Sequence, residues 1–326
     1  MRTAMLMAVA AFIFLGSVFT FGSEPALGVD REKGEYWTYE MSTTMELMGM
    51  MLEVTGPVTY EFNGQISVAV GENDYPSNVL AVNGALSGSV RILGQDMGSV
   101  EVSMAGTEYE LVGGIGVLRE DLTSATDVDL RAGMFSFTYH VLTQAIAETT
   151  PPMLSEFHPE STNLGDVWIQ TATVSTTVNT WENGTLANTT TNTRTLVYGA
   201  TVSALESLET SAGTFKTMRV QVASSDGDYD IFWWSSDVNN YVKHEEYENG
   251  SSSPVLTMTL IGYGTKSASV MLSVALVGVA TLAVAVVVLA IVLTKMKRAR
   301  LPKSTQANAP EQGIRDADVS KRDDSR

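Results

Sequence analysis

Between Gly34 and Thr150 apolar and polar residues alternate with a period of two through one run after another: "EYWTYEMSTTMEL", "VTYEFNGQISVAV", "NVLAVNGALSGSVRIL", "SVEVSMAGTEYELVG" and "GMFSFTYHVLTQ". In the last of these Phe135, Phe137, Tyr139 and Val141 share one parity and Ser136, Thr138 and His140 the other. That is the spacing of a strand with one buried face. The pairs Asn63-Gly64 and Asn83-Gly84 predict tight turns or bulges. Residues 148–163, "ETTPPMLSEFHPESTN", carry three prolines and little periodicity, which predicts a linker. Alternation resumes in "DVWIQTATVSTTVNTW", "NTRTLVYGATVSAL", "FKTMRVQVAS", "DYDIFWWS", "NYVKHEEY" and "VLTMTLIGY", with Asp226-Gly227 as a hairpin turn. The expected fold is mainly β: tandem curved antiparallel sheets or incomplete barrels, followed by one transmembrane α-helix. A first β-domain would span 23–147 and a second 164–265.

Two stretches have no alternation because they have almost no polar residues. After Arg2 the chain is uncharged from Thr3 to Gly22 and then turns polar at "SEP", which reads as a signal peptide over 1–22, with an uncleaved anchor as the alternative. Ala268 to Leu293 is uncharged over 26 residues, or about 39 Å of helix against a hydrocarbon core of about 30 Å. Lys295, Lys297, Arg298, Arg300 and Lys303 follow that span, while Lys266 alone lies just before it. The positive-inside rule then puts the C-terminus in the cytoplasm and residues 23–267 outside, as a single-pass type I protein of the plasma membrane. Residues 294–326 have low hydrophobicity and mixed charge, the composition of a disordered cytoplasmic tail.

Charge divides along the same topology. The tail from Lys295 holds 9 basic and 5 acidic residues, so the exported part carries a net charge near −22. Such a surface repels nucleic acid and anionic lipid head groups at a distance and attracts divalent cations or basic partners, and it equally serves solubility or salt tolerance. With no cysteine in the chain there is no disulfide framework and no Cys-based zinc site. Stability must come from an ordinary core.

The two blocks resemble each other. "GEYWTYEMSTT" from Gly34 parallels "GDVWIQTATVSTT" from Gly165, with Trp37 matched by Trp168, and "EYELVGGIGVLRED" from Glu108 parallels "DYDIFWWSSDVNNYVKHE" from Asp228. In that pairing Phe232-Trp233-Trp234 falls opposite Val112-Gly113-Gly114, and the second copy is longer by about four residues. A duplicated β-domain accounts for both matches. The stretch "LETSAGTFKTMRVQV", Leu208 to Val222, with "SSDVNNYVKHEEY" and a last apolar strand after it, resembles exported β-domains of unknown function related to the LolA/LppX-like lipoprotein-carrier superfamily. The best match covers 164–263, and with the duplication it extends to 34–145. That resemblance implies a strongly curved antiparallel sheet whose concave face holds acyl chains or is filled by side chains. A chain tethered by its own helix departs from the soluble shuttling of those carriers.

Candidate chemistry is sparse. His140, His158 and His244 lie in different predicted elements, and no nucleophile elbow or phosphate-cradling glycine loop is present. No enzyme activity and no cofactor are expected. "DGDYD", Asp226 to Asp230, alternates carboxylates but lacks the later glycine and glutamate of an EF-hand, and reads as a turn entering a strand. Met41, Met45, Met48, Met50 and Met51 crowd "MSTTMELMGMML"; thioethers suit Cu(I) but equally line a greasy groove. Phe232, Trp233, Trp234, Met48 and Met50 are therefore the candidate ligand-binding residues. Successive strand residues point to opposite faces, so one of Trp233 and Trp234 is expected to pack and the other to look outward. Asn183, Asn188 and Asn249 begin N-x-[ST] triplets on the outer side and are candidate glycosylation sites. Two readings follow: a membrane-anchored, non-catalytic surface protein binding an apolar or lipid-like ligand, or a structural or interaction protein of the cell envelope. Its partners would be the bilayer, through 268–293, and an apolar ligand or envelope proteins.

Overall fold

A computed structural model describes residues 31–47, 50–71, 73–92, 95–112, 116–132, 135–152 and 162–266. The expected signal peptide, transmembrane span and cytoplasmic tail, and with them Met48 and His158, fall outside these residues. Among the described residues no helix is long and apolar enough to cross a membrane.

Twelve strands follow in order: β1 (Glu35–Leu47), β2 (Met50–Val70), β3 (Asn73–Ile92), β4 (Gln95–Leu111), β5 (Val117–Ala132), β6 (Phe135–Thr150), β7 (Val167–Glu182), β8 (Thr185–Thr210), β9 (Gly213–Ser224), β10 (Tyr229–Ser235), β11 (Asn240–Tyr247) and β12 (Leu256–Thr265). Each pairs antiparallel with the next, and β12 returns to pair with β1, closing a barrel. Closure leaves no unpaired edge. Because the strands alternate in direction, β1 starts and β12 ends at one rim, here the terminal rim, together with the connections at 211–212 and 236–239. The turns at Asn183-Gly184 and 225–228 and the loop at 248–255 lie at the far rim.

The alternation does what period two requires. Along β1 Trp37, Tyr39, Met41 and Thr43 are buried, while Glu40 and Ser42 are exposed. One apolar cluster joins Trp37, Tyr39, Leu52, Val58, Leu80, Val102, Leu122, Val141, Val178, Phe215, Tyr241 and Leu260, drawing on strands from all around the ring. A second, around Tyr198, Val220 and Phe232, fills the β7–β10 side. The outer face is dressed in hydroxyls, as in the rungs Thr173–Thr195, Ser175–Thr193 and Thr177–Thr191 across β7 and β8. Apolar inside and polar outside is the reverse of a membrane-spanning barrel, whose lipid-facing band is apolar.

Two expectations are corrected. The sheet is one closed barrel rather than tandem incomplete ones: β6 and β7 pair over ten residues, from Val141↔Glu182 to Thr150↔Thr173, and β12 and β1 over nine. Of the expected linker, Glu148, Thr149 and Thr150 belong to β6. The expectation of a tight turn or bulge at each Asn-Gly pair is met by a bulge at the first and by neither at the second. Gly64, at φ 134, sits at a bulge inside β2, and Gly84 lies in unbroken β3, where a Cβ would come within 3.0 Å of Val58 Cγ2 and 3.2 Å of Met104 Cε. At the far end of β6, Phe137 is 59% exposed although it shares parity with buried Val141, because the strand runs past the core.

The two six-strand halves repeat one another in detail. Gly34 and Gly165 both have φ 90, and each donates its N–H to the residue just before a bulge in the next strand, Phe62 in β2 and Val202 in β8. A further bulge shifts β4 against β5 after Tyr109 and β10 against β11 after Trp233. Matching the bulges pairs Glu108-Tyr109-Glu110 with Phe232-Trp233-Trp234. It also pairs the outward ion pair Arg119–Asp121 with Lys243–Glu245. The sequence pairing was thus four residues out of step, and the apparent insertion disappears: seven positions separate Glu110 from Val117 and Trp234 from Tyr241 alike.

Candidate functional site

The three aromatics of β10 go to three environments, as the pleat and the bulge dictate. Phe232 faces inward and stacks on the His244 ring at 4.2 Å between centroids. His244 is fully buried and its Nε2 lies 2.9 Å from Asp230 Oδ1. Burial drives the Asp230 carboxyl well up, helped by the nearby Asp228 charge, and drives the imidazole down to about 3. Both shifts favour the uncharged form of each partner. The pair is closed off from solvent, and His244 Nδ1 has no hydrogen-bond partner among the described residues.

Trp233 turns the other way. Its Nε1 donates to Glu206 Oε1 at 2.7 Å, and the cations of Lys243 and Arg219 lie 4.9 and 5.6 Å from the ring centroid. Glu206, Arg219 and Lys243 belong to β8, β9 and β11, so this tryptophan pins four adjacent strands from outside. Trp234 is half-buried and shares a face with its cross-strand partner Met218, which in turn pairs with Leu205. The three form a row across β8, β9 and β10 at the terminal rim. Over it opens a groove of about 630 Å³, edged by Glu206, Ser207, Lys216, Thr217 and Ser236. That volume falls within the range of small-ligand sites.

The remaining candidates are dispersed. Met50 opens β2 at the far rim, away from the triplet. Asn183 and Asn249 are exposed at far-rim turns, while Asn188 pairs with buried Thr180 and donates to Thr190 Oγ1 at 3.0 Å. Asp226 sits in the expected hairpin turn and Asp228 Oδ1 accepts the Asn249 N–H at 2.8 Å. Among the described residues no group of His, Asp and Glu could hold a metal ion.

The sequence reading missed the partners. His140 pairs with Asp127 at 2.6 Å as His244 does with Asp230, each carboxylate lying on the neighbouring strand. It also missed a buried polar group in the first half. Glu108 and Glu120 face each other across β4 and β5, both 1% exposed. Beside them Glu110 takes an ion pair from Arg31 at 2.6 Å. Burial raises the Glu110 carboxyl, and Arg31 opposes the rise. The signal was available in "EYEL": glutamates at the parity that the strand pattern buries.

Comparison with known proteins returns no match to any family model, curated protein or solved structure. The likeness to the lipoprotein-carrier superfamily rests on the quoted residues alone.

Proposed function

We propose that this chain is a membrane-anchored, non-catalytic surface protein whose outer region serves as a structural or interaction module of the cell envelope. The carrying observation is the packed interior: the space in which a carrier would shield an acyl chain is occupied by side chains such as Tyr39, Tyr60, Leu80, Val102 and Tyr241. Tyr39 stacks on Tyr241 at 4.7 Å and donates its hydroxyl to the Tyr241 carbonyl at 3.0 Å, which ties β1 to β11 over the inner face of β12. The hydroxyl-rich outer face and the acidic composition support a water-facing role. The uncharged run at 268–293, with its basic flank, supports the tether.

The absence of cysteine makes the topology directly testable, because any introduced thiol is unique. Ser252→Cys, in the far-rim loop, is expected to react with a membrane-impermeant maleimide on intact cells. Ser304→Cys, in the tail, is expected to react only after lysis. Equal labelling of both on intact cells, or labelling of the tail alone, would contradict the reading.

A further inference from the structure

The two halves of the barrel build the same place twice and finish it differently. In each half, a row of three side chains in register follows the bulge in the second strand and runs to the bulge that offsets the fourth strand from the fifth. In the first half the row is Gln65–Asn78–Glu110. It is polar throughout: Gln65 Nε2 donates to Asn78 Oδ1 at 3.1 Å, and Glu110 pairs with Arg31. Arg31 comes from the segment immediately before β1 and is itself largely buried, with its guanidinium 4.9 Å from the Trp37 ring centroid. The chain finishes this site with a cation of its own.

In the second half the corresponding row is Leu205–Met218–Trp234. A carboxylate has become an indole, an asparagine a thioether and a glutamine an isobutyl group, so nothing in the row would hold a guanidinium. Counting from the matched glycines, the residue in the place of Arg31 is Thr162, which has neither its length nor its charge. The site is open instead, over about 630 Å³, and Leu205 is left 61% exposed. Its one carboxylate, Glu206, is engaged by Trp233 Nε1. Lys216 stands exposed at the edge and makes no ion pair among the described residues. An apolar floor with a cation at the mouth fits an anionic amphiphile.

Position selects the source. Ser236 of the groove belongs to the β10–β11 connection, at the rim where β12 ends at Thr265. Only Lys266 and Ser267 then precede the uncharged run from Ala268. We propose that the groove over Leu205, Met218 and Trp234 binds the acyl chain of a membrane lipid, with Lys216 meeting its anionic head group. The lipid source, though not the groove's apolar specificity, rests on the tether reading above.

All five tryptophans lie in the barrel and none in the uncharged run, so contact with acyl chains can be read by fluorescence. The full chain would be reconstituted in vesicles of anionic phospholipid with brominated acyl chains, whose bromine quenches indole on contact. About one fifth of the emission should be lost relative to unbrominated vesicles, and Trp234→Phe should abolish that loss. Leu205→Asp, at a position exposed enough to leave folding intact, should abolish it with all tryptophans present. Lys216→Glu should weaken it in anionic vesicles and not in zwitterionic ones. In a second arm, a free brominated fatty acid is added to the detergent-solubilised chain. Quenching there but not in vesicles would overturn the lipid source. Quenching in neither arm, or quenching that survives Trp234→Phe and Leu205→Asp, would overturn the site whatever the topology.

Discussion

At the scale of single residues, the Asp230–His244 pair ties the stability of the barrel to pH. The unfolded carboxyl titrates near 3.9 and the unfolded imidazole near 6.5. Asp230 is raised in the fold, so its contribution is complete below about 3.9 and is lost as pH rises towards its folded value. His244 is lowered to about 3, so its contribution is complete above about 6.5 and is lost as pH falls. Where both groups titrate differently from the unfolded chain the two slopes oppose each other, and Glu246, also raised by burial and by the Asp230 charge, adds to the Asp230 slope. Above about 6.5 the imidazole contribution is constant, so the pH dependence that these groups leave is a decline in stability with rising pH, by up to about 1.4 kcal/mol per pH unit for each proton taken up on folding. Denaturant midpoints measured upward from about pH 6.5 check that sign, and a rise would contradict it. Asp230→Asn, which keeps a donor for His244 Nε2, should make it shallower, and an unchanged slope would show that the pair is not the source. A second residue-scale prediction concerns Gly88, paired with Val54, where a Cβ would stand 1.7 Å from the Glu53 carbonyl oxygen. Gly88→Ala should cost about 3 kcal/mol, since backbone rather than a yielding side chain blocks it. An urea titration that finds less than about 1 kcal/mol would mean that the strands relax there.

At the scale of elements, the hairpins of the far rim separate the three glycosylation triplets. Asn183 and Gly184, at φ 49 and 82, form the two-residue turn between β7 and β8. The Asn183 N–H donates to the His140 carbonyl at 3.0 Å and its Oδ1 accepts the His140 N–H at 3.3 Å, which holds the carboxamide with Nδ2 towards solvent. Asn249 Nδ2 instead donates to the Asp226 carbonyl at 2.8 Å, and Asn188 follows the inward parity of Thr180. In a host that modifies such triplets, glycopeptide mapping of the intact chain should find Asn183 occupied and Asn188 bare. Occupancy of Asn188 would contradict the strand facing.

What the sequence made legible belongs to this scale. Period two marked buried Trp37, Tyr39 and Met41, and the DG turn before β10. The opposed fates of Trp233 and Trp234 also followed from the pleat, although it was Trp233 that packs outside under cations and Trp234 that edges a groove. The groove itself was hidden, because Leu205 and Met218 reach Trp234 only through the registers of β8 and β9, and the bulges that set register there, after Val202 and Trp233, have no glycine to mark them. The same bulges explain why the two copies were matched four residues out of step. Gly64 marked a bulge, as an Asn-Gly pair can, whereas Gly84 marks neither turn nor bulge but the close approach of Val58 and Met104 inside β3.

At the scale of the whole molecule, closure was the part that local patterning does not encode. A period-two strand looks alike whether its neighbour lies in its own half or the other, and the pairings that close the ring, β6 with β7 and β12 with β1, bring together the boundaries of the two copies. Closure converts two half-sheets, each with two exposed edges, into one surface with a shared core that draws Val178 of the second half against residues of the first. One cooperative unit is the expected consequence. Hydrogen exchange of the full chain tests this most directly, read at the amides of the two seams, Val141–Thr150 with Thr173–Glu182 and Glu35–Thr43 with Leu256–Thr265. The seam amides should be protected as strongly as those within each half and should exchange through the same global opening. Seams that exchange far faster than the interiors of the two halves would contradict the closed barrel, and with it the packed interior on which the functional reading depends.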